Sequence, residues 1–286
     1  MRFEFTEEQL LLRSEVRSFL EKEWPAAALR KAWASGEQPL SLWRKLGSLG
    51  LTATTLPEDK GGLGGDELDL VLALEECGRA ALPLRLGESA AGAALLAESG
   101  AAELAERWLP RVSDGSAALA LGLLDKPLVP GAAGADLILL EVEGGFRALA
   151  PAECRLLAQP SFAPARGLCS VEAEAGRGVT VEVPEEALQA ARDRCAFAAA
   201  AELLGAAERM LEMAVAYAME RKQFGRAIGS FQAVKHRLAD SVVAIELARP
   251  AVYAAAWALA RRGADRSASV SLAKLYAGRA ATRAAR

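Results

Sequence analysis

The stretch Arg221-Lys-Gln-Phe-Gly-Arg-Ala-Ile-Gly-Ser-Phe-Gln232 divides two long helical patterns. Upstream, Leu203, Leu204, Ala207, Met210, Leu211 and Val215 recur on one helical face. That spacing predicts a helix from Pro184 to about Lys222. Phe224 to Gly229 reads as a turn by its glycines. Ser230 is a candidate N-cap for the next helix, whose apolar side carries Val234, Leu238, Val242 and Ile245. Pro250 is expected to kink or interrupt that helix, because it lacks a backbone donor and crowds the preceding turn. Arg261-Arg-Gly263 ends it, and Asp265 or Ser267 can cap a third helix reaching Arg286.

Outward from this helical block, the pattern changes. Residues 113–184 carry short β-type runs at Leu137–Glu143, Cys154–Leu157 and Gly178–Val183, separated by Gly and Pro. Such runs predict a small sheet or barrel. Residues 1–112 return to helix. Thr6 before Glu7, Glu8 and Gln9 makes a capping-box start, and Leu12, Val16, Phe19 and Leu20 form one apolar stripe. Trp24-Pro25 closes that helix. A second runs over Leu40–Leu46, a third over Glu67–Arg79, and more helix follows, broken at Pro83 and ending near Pro110. Pro57 to Gly65 is a loop. The expected fold class is mainly α with a small central β domain. The expected domains are 1–112 helical, 113–184 β and 185–286 a helical bundle.

Composition narrows the function. The chain has 286 residues, 52% hydrophobic and 25% charged, which excludes wholesale disorder. Lys+Arg total 34 against Asp+Glu 37, for a net charge of −3. That balance lacks the basic excess of sequence-independent nucleic-acid binding, so no nucleic-acid partner is expected. Cys77, Cys154, Cys169 and Cys195 show no CxxC spacing, and His236 is the sole histidine. This pattern predicts neither zinc nor a disulfide framework, and suits a reducing cytoplasm. The charged N-terminus does not read as a signal peptide. Charges break the apolar runs, so no membrane span is expected.

Two strings carry a resemblance. The first is Phe5-Thr-Glu-Glu-Gln9 with Arg13 and Val16-Arg-Ser-Phe19, then Leu42-Trp-Arg-Lys-Leu-Gly47 and Pro57-Glu-Asp-Lys-Gly-Gly-Leu-Gly64. The second is Arg221 to Gln232, followed by Leu238-Ala-Asp240. In the α, β, α order these strings resemble the acyl-CoA dehydrogenase family, whose signature is RxQFGxxIxxFQ. The resemblance implies a helical domain, a small β domain and a C-terminal four-helix bundle, with FAD between the last two. It implies α,β-desaturation of an acyl-CoA thioester: a glutamate takes the α-proton and the flavin takes the β-hydride. An electron-transfer flavoprotein or similar acceptor would then reoxidise the flavin. The resemblance further implies that the signature works across a subunit interface. Arg221 would reach the FAD diphosphate of a neighbouring subunit, with Gln223 and Phe224 at its ADP half and Gln232 beside them. A planar guanidinium suits a diphosphate. The same residues also admit a plain reading as a charged C-cap turn.

The sequence also departs from the family. The family's flavin-cradling stretches are shortened here, and Pro130 stands where a threonine hydroxyl is usual. No base is found. Cys195 falls at the position used by a minority of members, and reads as a small buried thiol on an alanine-rich face. Of the Asp-x-x-Arg that meets CoA in the family, Asp193 matches but Ala196 replaces the arginine. Asp193 is therefore the candidate substrate-binding residue, against a plain reading as a solvated helix residue. The family's last bundle helices fall beyond Arg286. His236 reads as a solvated or interface residue. Glu75 and Glu76 lie about 100° apart on a helix, wrong for a cooperating dyad, and read as a polar edge near the acyl pocket. Gly61 to Gly65 lacks the Lys-Ser/Thr of a phosphate loop.

These features predict an FAD-dependent acyl-CoA dehydrogenase subunit that completes an FAD site across an interface, in a homo- or hetero-oligomer with another such subunit. Two alternatives stand beside it. One is an ordinary homo-oligomeric dehydrogenase whose base lies beyond Arg286. The other is a flavin-free scaffold or acyl-CoA-binding protein.

Overall fold

A computed structural model describes residues 4–124, 128–174 and 176–286. They form two compact units: Met1–Glu21, Val71–Leu82 and Ala196–Arg286 in one, Lys22–Leu70 and Pro83–Cys195 in the other.

Helix α1 (Glu7–Glu23) begins as the sequence dictates. The Gln9 N–H donates to Thr6 Oγ1 at 3.2 Å and the Thr6 N–H donates to Gln9 Oε1 at 3.0 Å. Two terminal donors are thereby satisfied reciprocally. Val16 and Leu20 bury the stripe.

In the bundle-bearing unit the expected long helix is present as α7 (Glu185–Glu220), of which residues from Ala196 onward belong here. Helix α4 (Glu67–Arg79) contributes its residues from Val71. The two helices approach closely: a Cβ on Gly78 would lie 1.9 Å from the Glu202 carbonyl oxygen, and one on Gly205 would lie 1.8 Å from that of Glu75. Only glycine permits that crossing. After α7 come α8 (Gln232–Ala260) and α9 (Arg266–Ala284), packed on each other through small residues such as Ala248, Ala255, Ala273 and Ala277.

Three local expectations change here. Pro250 does not interrupt α8, which runs through it. Burial of Ile245, Ala248, Val252 and Ala256 on both sides outweighs one missing backbone bond. Ser230 does not cap α8. Its hydroxyl donates to the Ala227 carbonyl at 2.7 Å, and Phe231 occupies the N-cap position. Asp265 stands at the N-cap of α9 without a side-chain bond. Among the described residues α8 is the one helix long and apolar enough to cross a bilayer. Its packing on α9 gives that apolarity a core role.

The other unit holds helices and two sheets. Trp24-Pro25 ends α1, but helix resumes at once as α2 (Ala26–Ser35), closed by Gly36 at φ +73°. Helix α3 (Leu40–Ser48) follows, and its Trp43 Nε1 donates to the Ala117 carbonyl at 3.1 Å. Helices α5 (Leu86–Glu98) and α6 (Ala102–Ser113) follow the break at Pro83. Helix α6 continues past Pro110, contrary to expectation, because Leu109 and Val112 bury its final turn.

The first sheet is β1 (Leu119–Gly122), β3 (Leu137–Val142), β4 (Gly145–Leu149) and β7 (Val179–Glu182), in the order β1-β3-β4-β7. The second has β2 (Leu128–Val129), β6 (Cys169–Ala173) and β5 (Cys154–Ala158), in the order β2-β6-β5. The three expected strands appear as β3, β5 and β7. Strands β1, β4 and β6 carried no usable signal: β1 is buried throughout, so it shows no alternation. One apolar cluster joins Leu95, Leu109, Leu119, Leu139, Phe146 and Leu188.

Candidate active site

The signature string folds into an exposed hairpin. The Arg221 N–H donates to the Tyr217 carbonyl at 2.9 Å as α7 ends, and the Arg221 carbonyl accepts from the Ile228 N–H at 2.8 Å. Between them β8 (Lys222–Gln223) pairs with β9 (Arg226–Ala227). The two turn residues are Phe224 at φ +51° and Gly225 at φ +77°. Positive φ at both centres matches the twist of a tight hairpin. Glycine adopts it freely. A phenylalanine there costs about 1–2 kcal/mol.

That strained phenylalanine is 91% exposed. Its ring meets Phe231 edge-on, with centroids 6.1 Å apart, and the Arg226 guanidinium lies 4.2 Å from the Phe231 centroid. Arg226 and Phe231 thus buttress the hairpin, roles that the motif spacing alone did not reveal. Gln223 donates its amide to the Lys222 carbonyl at 2.9 Å. Arg221, Gln223 and Gln232 are all exposed. The structure therefore gathers the four expected cofactor residues on one hairpin and its two exits. His236 is exposed on α8.

In the second unit, Asp193 is not a solvated helix residue. It is 5% exposed and accepts from Gln189 Nε2 at 2.9 Å. Its neighbours anchor the start of α7. Arg192 pairs with Glu185 at 2.6 Å and with Glu141, whose Oε2 accepts from the Leu124 N–H at 3.0 Å. Arg194 pairs with Glu67 at 2.9 Å and Glu98 at 3.2 Å. Cys195 is buried in the apolar cluster. Pro130 follows β2, and the next backbone donor, the Gly131 N–H, is taken by the Arg166 carbonyl at 3.0 Å.

Glu75 and Glu76 do not form a polar edge. Both are buried inside the helical unit, where Arg13 and Arg17 hold Glu76. Among the described residues no group of three or more His, Cys, Asp or Glu is placed to hold a metal.

Comparison with known proteins adds the family. The description "Acyl-CoA dehydrogenase, N-terminal domain" matches residues 6–116, and "Acyl-CoA dehydrogenase, C-terminal domain" matches residues 181–286. The protein named acyl-CoA dehydrogenase IpdE2 of Mycobacterium tuberculosis is 39% identical over 251 residues, covering 86% of this chain and 74% of that one. A solved structure titled as the Tcur3481-Tcur3483 steroid ACAD G363A variant superposes with a TM-score of 0.86 at 28% identity, covering 97% of this chain and 84% of that one. The ChsE4-ChsE5 complex from Mycobacterium tuberculosis superposes with a TM-score of 0.87 at 25% identity, covering 100% and 86%. The chain thus spans about three quarters or more of each relative's length, and it belongs to the acyl-CoA dehydrogenase family of FAD-dependent oxidoreductases.

Proposed function

We propose that this chain is a subunit of a heteromeric acyl-CoA dehydrogenase and completes an FAD site held mainly by a partner subunit. The observation that carries this reading is Phe224, an aromatic residue 91% exposed and held at φ +51°. Neither its strain nor its exposure serves this chain's own core, and both suit a surface that a ligand covers.

The fit to FAD differs between the two units. The hairpin offers a guanidinium, two amides and an aromatic face. Arg221 would take the diphosphate, Phe224 would lie against adenine or ribose, and Gln223 and Gln232 would bond the ADP half. The segment after β2 offers less, since Pro130 has no N–H and that of Gly131 is taken. This favours a flavin cradled by the partner. Bound FAD would supply hydride acceptance from the acyl β-carbon. What this chain does is bind and orient the dinucleotide from outside. Asp193 would serve the CoA end through Gln189, which it holds. No residue here is assigned as the base.

Two solved neighbours are titled by paired names, one of them with the words steroid ACAD. Those titles support a heteromer and an acyl-CoA with a bulky acyl group. An electron-transfer flavoprotein as acceptor and a cytoplasmic setting complete the reading. The division at 1–112, 113–184 and 185–286 is proposed alongside it as the domain plan.

Titration of the flavin-stripped complex with FAD tests the reading. Arg221→Ala should weaken FAD about ten- to a hundredfold, as loss of a charge-assisted bond worth about 1.5–3 kcal/mol requires. Unchanged affinity would sink it. The blocked segment at Pro130 favours a second reading, a flavin-free scaffold. That reading requires that no complex containing this chain binds FAD.

A further inference from the structure

Four helices of one unit meet around Glu75, which is 1% exposed. Its Oε2 accepts from the Tyr253 hydroxyl at 3.4 Å and lies 3.7 Å from Arg13 Nη2. Its Oε1 is buried without a hydrogen-bond partner. Glu76, one residue on, is fully served: Arg13 Nε donates at 2.9 Å, and Arg17 donates through Nε at 2.8 Å and Nη2 at 2.6 Å.

The surrounding charges are already matched. From α1 come Arg13 and Arg17, and from α4 Glu76 and Arg79. From α7 come Glu208 and Glu212, and from α8 Glu246, Arg249 and Tyr253. Arg249 pairs with Glu208 at 2.5 Å and Glu246 at 3.0 Å. Arg79 donates to Glu212 at 2.6 Å. Arg13, which faces Glu75, also lies 4.0 Å from Glu208, and Arg249 acts on Glu75 as well. Phe5 covers Tyr253 edge-on, with centroids 4.8 Å apart. A cleft of about 580 Å³ opens beside the cluster between Arg13, Arg79, Leu211, Ile245 and Tyr253. The glycine crossing fixes α4 against α7, so α1 and α8 are the elements free to respond.

We propose that Glu75 keeps its proton in the folded chain and acts as a proton-operated latch on α1 and α8. Neutral, it leaves every neighbouring guanidinium matched to a glutamate. Ionised, it adds a buried negative charge beside Glu76 and the partly buried Glu208, faced by the Tyr253 hydroxyl and by Arg13 and Arg249, which already serve other glutamates. Burying such a charge is costly. The cleft then lets water reach the carboxylate as the two helices loosen.

Burial first, and the charge of Glu208 second, push the Glu75 carboxyl up to about 7. The sign follows. The folded chain binds this proton more tightly than the unfolded chain does. The stabilisation is complete below the ordinary carboxylate value and is lost as pH rises through about 7.

The test is hydrogen–deuterium exchange of α1 and α8 peptides in the purified protein, corrected for intrinsic rates. Glu75→Gln is the neutral isostere. Between about pH 5 and about pH 8 the opening constant of both helices should rise about 50- to 100-fold in the wild type relative to Glu75→Gln. Infrared titration of the wild type gives a second readout, whether or not the variant folds. A protonated-carboxyl band should persist to about pH 7, and Glu208→Gln should move its midpoint lower. Equal pH dependence in both proteins, or no such band above about pH 6, would overturn the proposal.

Discussion

Phe224 concentrates the functional argument in one residue. Its positive φ and its exposure both work against the isolated chain. Asparagine tolerates that backbone and suits a tight hairpin. Phe224→Asn should therefore leave thermal stability unchanged or raise it by up to about 1 kcal/mol, while FAD affinity falls. Calorimetry and a flavin titration on the same preparation check both halves. A destabilised variant with normal flavin binding would return Phe224 to a structural role. The sequence placed Arg221, Gln223, Phe224 and Gln232 at a turn because glycines and a long motif mark it. Arg226 and Phe231 escaped notice because a cation over a ring depends on the fold of the hairpin. Glu75 was misread for a different reason. A helix exposed on one side leaves adjacent carboxylates facing different surroundings, but the middle of α4 is buried on every side.

At the scale of elements, two packing predictions separate cause from pattern. Gly78→Ala would place a methyl 1.9 Å from the Glu202 carbonyl. It should cost about 3 kcal/mol or more, read as a lowered midpoint in denaturant unfolding. Loss of less than about 1 kcal/mol would mean that α4 and α7 slide apart easily. Pro250→Ala restores a backbone donor inside α8 and should raise stability, by up to about 3 kcal/mol. A drop in melting temperature would show that α8 is shaped around the proline. The elements most legible in sequence were those with long periodic faces, α7 and α8, and those with explicit caps, such as the Thr6–Gln9 start of α1. Helix α2 was hidden because its alanines give no contrast between faces, and because Pro25 reads as a stop although it also precedes a helix start. Strand β1 was hidden because it is buried on both faces and so shows no alternation.

For the whole molecule, the two family matches leave residues 117–180 between them. That interval holds most of both sheets, and with them Pro130 and the tied Gly131 N–H. The helical parts and the hairpin are what the two family models match. In the reading proposed above, the chain supplies part of an FAD site and another subunit supplies the rest. The most direct measurement is the visible absorption spectrum of the chain, folded by circular dichroism, purified alone and after co-expression with a complete acyl-CoA dehydrogenase subunit. The account predicts a colourless protein alone and flavin bands in the complex. Flavin bands in the folded chain alone, or a colourless complex, would contradict it.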